Sequence, residues 1–246
     1  MEQLINLDKE LFLFLNGLGS EPFDGFWMII TKQIYWIPFF IAVFYLVIKK
    51  EGFNVSFWRY FLSAIFLPIG IFIVLFFYRS YYNDEIFLKK AKNVFIIILF
   101  LAALITFTDQ ITNLFKYSFE RLRPCNNPEF DGIMREVITR KSFSFFSGHA
   151  SNSFASTTFI VLILRNYYKH TYLLFLFPLI FAYSRIYLGL HYPGDILTGY
   201  VFGGTFGFAF YKLYAFLSKK YNFQTATENC DRKLQNPTNS QTITNR

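Results

Sequence analysis

The sequence is poor in cysteine and in charged residues. Its two cysteines, Cys125 and Cys230, lie far apart, so they provide neither a disulfide framework nor the spacing of a metal site. Charged residues make up only 16% of the 246 positions and hydrophobic residues 54%, a balance unlike that of a typical soluble domain. Glu2, Asp8 and Glu10 precede or interrupt the first apolar run, which argues against a cleavable signal peptide. These deficits favour a helical membrane domain.

Long apolar runs occupy most of the remaining chain. Several approach the ~20 apolar residues that a helix needs to cross a bilayer. We therefore predict an all-α, polytopic membrane protein with six transmembrane helices. Basic residues inside these runs lie toward the ends, where long side chains can reach the interface. The predicted spans cover residues 27–48, 57–78, 93–115, 150–166, 171–189 and 195–217.

The two ends of the chain differ from the spans. An apolar stripe at helical spacing predicts an amphipathic interfacial helix within residues 1–25, although an ordinary helix packed on the domain has the same pattern. Residues 218–246 are polar and rich in Asn, Thr and Gln, which predicts a disordered tail. The membrane domain is then residues 26–217. The stripe consists of Leu4, Leu7, Leu11, Phe14 and Leu15.

The net charge of +8 would suit a nucleic-acid partner in a soluble protein. Here we assign it to basic residues that flank the spans, and we expect no nucleic-acid partner. The Lys and Arg counts on the two sides of the membrane are roughly balanced, so the positive-inside rule does not decide the orientation. If the basic residues of the long connection at 116–149 serve chemistry, the termini are cytoplasmic and this connection lies outside.

Three polar clusters lie at span ends on the same predicted side of the membrane. They are the segments 116–124, 146–151 and 184–195. Because the topology brings these ends to one face, their side chains can converge. Unpaired charge is costly at such a depth, so a convergent set of cations suggests a function.

The basic members of these clusters match the oxygens of a phosphate. Lys116, Arg123 and Arg185 supply one ammonium and two guanidinium groups. The segment 147–149 precedes a helix whose first N–H groups favour an anion, and Gly148 lets the backbone approach closely. Each cation alone could simply contact lipid headgroups. Together they predict a phosphate site.

Two histidines complete this set. Asp195 follows His191 by four residues across a Pro-Gly turn, so its carboxylate can accept a hydrogen bond from one ring nitrogen. The other nitrogen then keeps a lone pair that can attack a phosphorus atom. His149, on a different span, is available as an acid. This pattern predicts phosphoryl transfer through a phosphohistidine.

The three clusters resemble the three-part signature of the type 2 phosphatidic acid phosphatase superfamily. Its membrane members are six-helix lipid phosphatases, and its soluble relatives include acid phosphatases and vanadium haloperoxidases. One departure is Phe146, where the family usually has proline, and the absence of that ring predicts a looser approach to the following helix. The matching residues are Lys116-x6-Arg123-Pro124, Ser147-Gly148-His149 and Ser184-Arg185-x5-His191-x3-Asp195.

The resemblance implies a role for each matching residue. His191 would be the nucleophile, Asp195 its orienting carboxylate, and His149 the acid that protonates the leaving oxygen. The phosphoryl oxygens would be bound without a metal or cofactor, because cationic side chains take the place of a metal. The residues that would bind them are Lys116, Arg123, Arg185, Ser147 through its hydroxyl and Gly148 through its N–H.

Three segments, two of which contain clusters described above, indicate a narrower class of substrate. LFLFLNGL, TDQITNLFKYSFERLRPCNNPE and SRIYLGLHYPGD are similar to bacterial undecaprenyl-diphosphate phosphatases. This resemblance implies an enzyme of the bacterial inner membrane that acts on undecaprenyl diphosphate with its site facing the periplasm. Its partners would be membrane lipids and a lipid phosphate. Lipid A and phosphatidylglycerophosphate are alternative substrates, and a non-enzymatic phosphate-binding membrane protein is the alternative of another class.

Overall fold

A computed structural model of the protein describes residues 2–52 and 84–221. Every regular element within these two ranges is helical, which confirms the all-α prediction. Short 3-10 turns join several of the helices. In chain order the α-helices are α1 (Glu2–Gly17), α2 (Asp24–Ile30), α3 (Ile37–Lys50), α4 (Asp84–Phe119), α5 (Gly148–Leu164), α6 (Leu176–Tyr187) and α7 (Pro193–Lys220).

The chain divides into two compact units. The larger comprises Met1–Pro38 and Phe100–Lys212, and it contains every predicted site residue. In the described residues of the other unit, the buried carboxylate of Glu51 accepts hydrogen bonds from Lys50 at 2.8 Å and from Asn93 at 3.2 Å. Both oxygens of this carboxylate are thereby satisfied, as a buried charge requires.

Within residues 2–52 and 84–221, two apolar stretches are long enough to cross a membrane by length and composition. They are Gln33–Lys50 and Lys89–Phe130, and Thr171–Tyr187 forms a shorter apolar helical segment. The predicted spans at 150–166 and 195–217 correspond to α5 and α7. The predicted span at 57–78 and most of the predicted tail lie outside the described residues. The count of six spans therefore stays a prediction.

The first predicted span, 27–48, is not one continuous helix. Helix α2 ends at Ile30, Lys32 is extended with φ −91° and ψ 121°, and α3 begins only at Ile37. Pro38 explains the break, because a proline lacks the N–H of a helix interior and fits only the first turn. The Trp36 indole donates to the Ile30 carbonyl at 2.8 Å, which satisfies one open carbonyl at the end of α2.

Helix α1 leaves four residues of its apolar stripe exposed, whereas Leu15 is half-buried and packs against the core. Leu4 and Phe14 remain 73% and 64% exposed, whereas Phe12 and Asn16 on the opposite face are buried. The Phe12 ring packs against Tyr192 with centroids 5.5 Å apart. Asn16 donates to the backbone carbonyl of Tyr187 at 3.0 Å. The helix thus docks through Phe12, Leu15 and Asn16, and its location in a membrane interface stays a prediction.

Helices α5 and α7 pack with their backbones in contact. Gly199, Gly203 and Gly207 recur every four residues along α7 and face the backbone carbonyls of α5 and of the residue before it. A Cβ at Gly199 would lie 2.8 Å from the Ser147 carbonyl oxygen, and one at Gly207 would lie 2.5 Å from that of Ala155. Small residues at this spacing are what close helix pairing requires.

Gly203→Val is expected to destabilise the fold by about 3 kcal/mol, at the upper end of overpacking costs. A Cβ there would collide with the backbone carbonyl of Ser151, which cannot rotate aside as a side chain can. Gly204→Val is the matched control, because a Cβ at Gly204 meets only the Phe154 ring, at 3.2 Å. Thermal unfolding in detergent measures both. Equal melting temperatures would contradict the proposed packing.

Candidate active site

The turn between α6 and α7 brings His191 next to Asp195. Gly189 has a φ of +77°, a left-handed conformation that glycine adopts without strain, and it reverses the chain after α6. His191 and Asp195 are both buried. The His191 Nδ1 lies 3.4 Å from Asp195 Oδ2, and the same oxygen accepts a hydrogen bond from the Tyr192 N–H at 3.0 Å. The carboxylate therefore faces the ring from a fixed position.

Arg123 occupies the other side of the His191 ring. Its Nη1 lies 3.0 Å from His191 Nε2 and also donates to the Leu190 carbonyl at 2.8 Å. Its Nε and Nη2 donate to the carbonyl and hydroxyl of Ser142 at 2.7 and 2.9 Å. Because a guanidinium can only donate, Nε2 must be the acceptor. The ring proton then lies on Nδ1, toward Asp195.

The segment that begins α5 is attached to the same turn. The Ser147 N–H donates to the Asp195 carbonyl at 3.0 Å, and the Ser147 hydroxyl accepts from the Ala150 N–H at 3.4 Å as a helix cap. The His149 ring stacks on Phe181 with centroids 5.2 Å apart. A Cβ at Gly148 would lie 3.2 Å from the Thr112 side chain. The start of α5 is thus held beside His191 by backbone contacts.

Arg185 lies in the last turn of α6 with its side chain buried. Its Nη1 donates to the Thr31 hydroxyl. Its Nε is buried and has no hydrogen-bond partner among the residues that the structure describes. A buried guanidinium with an unsatisfied N–H indicates that an acceptor belongs in this place.

The charges of three cations act on His191. Burial lowers the pKa of His191 well below its usual 6.5, and the charges of Arg123, Arg185 and Lys116 lower this pKa further. His149 is also within electrostatic reach of Arg185 and Lys116. The three predicted clusters therefore meet, and the structure brings together all eight predicted site residues.

The site cations are distinguished by their lack of carboxylate partners. Within residues 2–52 and 84–221, Lys116, Arg123 and Arg185 form no ion pair, whereas Arg121 and Arg135 each contact a carboxylate. Asp195 forms its ion pair with Arg121, whose Nη1 is 2.7 Å away, and acts on Lys116 and Arg123 only over a longer distance. No group of three or more His, Cys, Asp or Glu side chains in the described part could hold a metal ion. The arrangement can bind a multiply charged anion beside the His191 ring.

Phe146 anchors the approach to α5 by packing. Its ring is fully buried and stacks on Phe202 with centroids 4.9 Å apart and planes within 4°. The Phe115 ring lies 5.3 Å away on another side. These ring contacts fix the position of Phe146 in the structure, and a looser segment stays a prediction. On α4, Asp109 accepts a hydrogen bond from Asn152 of α5 at 2.5 Å.

Sequence reasoning missed three charged residues near the site. Arg121 lies inside the first cluster, but its spacing to the other motif residues carried no signal. Asp8 contacts residues 113 and 186 positions away, so no local pattern could reveal it. Arg140 lies in the long connection, and its charge acts on Arg123, Arg185 and His149. In the sequence, the only indication that Arg140 acts on the site is its position among the other basic residues of the long connection.

Comparison with known proteins assigns the chain to a family. The sequence model described as the PAP2 superfamily matches residues 94–219, which is more than half of the chain and includes all eight predicted site residues. The chain belongs to the PAP2 superfamily. It is therefore a lipid phosphatase, a hydrolase of phosphate esters, and the alternative of a non-enzymatic phosphate-binding protein is wrong.

Relatives with assigned activities cover most of the chain. A lipid A 4'-phosphatase from Bacteroides thetaiotaomicron is 30% identical over 216 residues, which is 86% of this chain and 78% of that protein. A lipid A 4'-phosphatase from Porphyromonas gingivalis is 26% identical over 224 residues, which is 90% of this chain and 78% of that protein. The crystal structure of a transmembrane PAP2-type phosphatidylglycerolphosphate phosphatase from Bacillus subtilis is similar at 21% identity and a TM-score of 0.41, covering 85% of this chain and 94% of that one.

Proposed function

We propose that this PAP2 phosphatase removes the 4'-phosphate of lipid A through a phosphohistidine intermediate. One observation carries the chemistry: the ring of His191 has Asp195 facing its Nδ1 and Arg123 Nη1 at 3.0 Å from its Nε2, with the charges of Arg185 and Lys116 also acting on it. The substrate follows from the relatives, two of which are lipid A 4'-phosphatases similar over 86% and 90% of this chain. The substrate first expected, undecaprenyl diphosphate, has no support among these relatives.

The first step forms a bond from His191 Nε2 to phosphorus. The hydrogen bond from Nδ1 to Asp195 keeps the lone pair on Nε2, and the phosphoryl oxygens compete with that nitrogen for the N–H of Arg123. As the bond forms, the P–O bond to the lipid breaks and its electron pair goes to the leaving oxygen. Cationic His149 gives that oxygen a proton. Without substrate, burial and the charges of Arg185 and Lys116 lower the pKa of His149 to about 2. The negative charge of the bound phosphate opposes this shift and favours the cationic form of His149 in the complex.

The second step returns the enzyme to its starting state. Neutral His149 accepts a proton from a water molecule as the water oxygen attacks phosphorus. The P–N bond breaks, its electron pair returns to His191 Nε2, and inorganic phosphate leaves. Lys116, Arg123 and Arg185 stabilise the phosphoryl oxygens in both transition states, assisted by the Ser147 hydroxyl and the Gly148 N–H.

We place the protein in the inner membrane with this site at the periplasmic side. Apolar side chains on the helices support a membrane location, since Leu197 and Val201 on α7 are 61% and 68% exposed. Two apolar stretches are long enough to cross a bilayer. Lipid A carries its phosphates at a membrane surface, so a site at a helix end can reach them. The orientation follows from assigning the basic residues of the 116–149 connection to chemistry and packing.

A panel of lipid phosphates tests the substrate. Purified protein in detergent with a chelator would be given lipid A, undecaprenyl diphosphate, phosphatidylglycerophosphate and phosphatidic acid at equal mole fractions. We expect the highest kcat/KM on lipid A, with loss of the 4'-phosphate shown by tandem mass spectrometry. A higher kcat/KM on undecaprenyl diphosphate would instead support the second candidate, which rests on the three similar segments of the sequence. Absence of phosphate release from every lipid would contradict the proposal.

The acid limb of the pH profile of kcat/KM is expected below pH 6.5. Burial and the charges of Arg123, Arg185 and Lys116 lower the pKa of His191, so the nucleophile stays neutral at pH values where an ordinary histidine takes up a proton. Activity is therefore retained at pH 6 and lost only at lower pH. The profile would be measured with an alkyl and an aryl phosphate, because a limb set by the substrate moves between them. A substrate-independent limb at or above 6.5 would contradict the assignment.

A further inference from the structure

Helix α1 places a carboxylate against the catalytic turn. Asp8 Oδ1 accepts a hydrogen bond from the Gly194 N–H at 2.6 Å, and Asp8 Oδ2 accepts one from Arg121 Nη2 at 2.7 Å. A Cβ at Gly194 would lie 2.8 Å from that carboxylate, so the contact requires glycine at this position. The N-terminal helix therefore reaches the residue directly before Asp195.

Arg121 joins this carboxylate to Asp195. Its Nη1 donates to Asp195 Oδ1 at 2.7 Å while its Nη2 contacts Asp8, and its guanidinium carbon lies 3.9 Å from the centre of the Tyr192 ring. The other oxygen of Asp195 faces His191. An unbroken chain of charged contacts thus runs from α1 to the ring that the proposed mechanism uses.

We infer that Asp8 and Arg121 are positioning residues for this phosphatase, which hold the carboxylate of Asp195 on His191 Nδ1. This inference rests on the proposed role of His191. Asp195 is fully buried beside the unpaired cations of the phosphate site. Without Arg121, its carboxylate would be attracted toward those cations and would compete with the substrate phosphate. The carboxylate of Asp8 in turn balances the positive charge of Arg121 and holds its guanidinium away from the phosphate site.

The docking of α1 does not depend on Asp8 alone. Phe12 packs against Phe130 and Tyr192 with centroids 5.5 Å apart, and Asn16 bonds to the backbone of the long connection and of α6. Loss of the Asp8 charge should therefore leave the helix in place. Lys9 provides a matched control, since it forms an ion pair from the same helix to Glu129 and does not contact the catalytic turn.

The test compares Asp8→Asn, Arg121→Gln, the double variant and Lys9→Gln, with dioctanoyl phosphatidic acid as substrate. We expect kcat to fall about tenfold for Asp8→Asn and about 100-fold for Arg121→Gln. The double variant should be no slower than Arg121→Gln, because both residues act through one chain of contacts. The inhibition constant of inorganic phosphate should stay within about twofold of wild type for Asp8→Asn, which a general disruption of the site would not allow.

Three results would overturn the inference: a kcat for Asp8→Asn equal to that of Lys9→Gln, multiplicative losses in the double variant, or equal loss of kcat and of phosphate affinity. Gly194→Ala serves if Asp8→Asn does not fold, since the added methyl group displaces the Asp8 carboxylate and should lower kcat by a similar factor. A wild-type kcat for Gly194→Ala would also contradict it. The proposed function fails separately, if His191→Ala remains active.

Discussion

His191→Ala is expected to abolish phosphate release from every lipid phosphate, with a fall in kcat on the order of 10⁴-fold or more. The substitution removes the only protein atom that bonds to phosphorus in the proposed mechanism. The remaining cations would still bind the substrate, so the affinity for inorganic phosphate should change much less than kcat. Steady-state phosphate release and phosphate inhibition measure the two effects separately.

His170→Ala is the matched control for this variant. His170 precedes the 3-10 turn Thr171–Phe175, and its Nδ1 lies 3.3 Å from the exposed Tyr172 hydroxyl, in a different part of the helical unit. Its removal should leave kcat within about twofold of wild type, as for a surface substitution. Acid-labile, alkali-stable radioactive phosphate on the protein should be trapped during turnover in wild type and His170→Ala, and should be absent from His191→Ala. A tenfold loss or less in His191→Ala would indicate another nucleophile.

His149→Ala is expected to lower kcat on dioctanoyl phosphatidic acid by about 10² to 10⁴-fold, the usual contribution of a general acid. An alkoxide is a poor leaving group and needs the proton that His149 supplies. Nitrophenolate departs readily without a proton, so formation of the phosphoenzyme from p-nitrophenyl phosphate should be slowed far less. Hydrolysis of the phosphoenzyme also needs His149 as a base. The variant should therefore release a burst of nitrophenol and then stall as the phosphoenzyme.

His149→Phe separates proton transfer from packing. A phenyl ring can keep the stacking contact with Phe181, which lies 5.2 Å from the His149 ring, but it carries no proton. If His149 acts as the acid, the Phe and Ala variants should show the same dependence on the leaving group. Recovery of activity in His149→Phe, or equal losses on the alkyl and aryl substrates in both variants, would contradict this role.

A contact in the site can be predicted from the sequence when its two residues lie close together in the chain. The His191–Asp195 pair is separated by four residues, so the turn that joins them could be inferred from their spacing. The ion pair between Asp8 and Arg121 joins residues 113 positions apart, and a short sequence pattern cannot predict such a contact. The prediction of one continuous helix over 27–48 was wrong for a different reason. Hydropathy is averaged over a window that includes Pro38, so it does not reveal the helix break that this proline causes.

Phe146 illustrates a similar limit. The sequence shows only that a proline is missing before Ser147, which predicts a looser segment. Only the structure shows that the rings of Phe115 and Phe202 pack on Phe146 from helices α4 and α7. Aromatic rings are common throughout this chain, with 35 phenylalanines, so no sequence pattern indicates which of them stack.

The sequence by itself determined the helical class, the three clusters of site residues and the phosphatase family, because each depends on composition or on residues close together in the chain. Only the tertiary structure decided which cations lack a carboxylate, which tautomer His191 adopts and which residues hold Asp195. Charge balance at a buried site is set by neighbours in space, since electrostatic energy depends on distance and burial rather than on position in the sequence. For that reason the role inferred for α1 emerged from its contacts, although every residue of that helix was visible from the start.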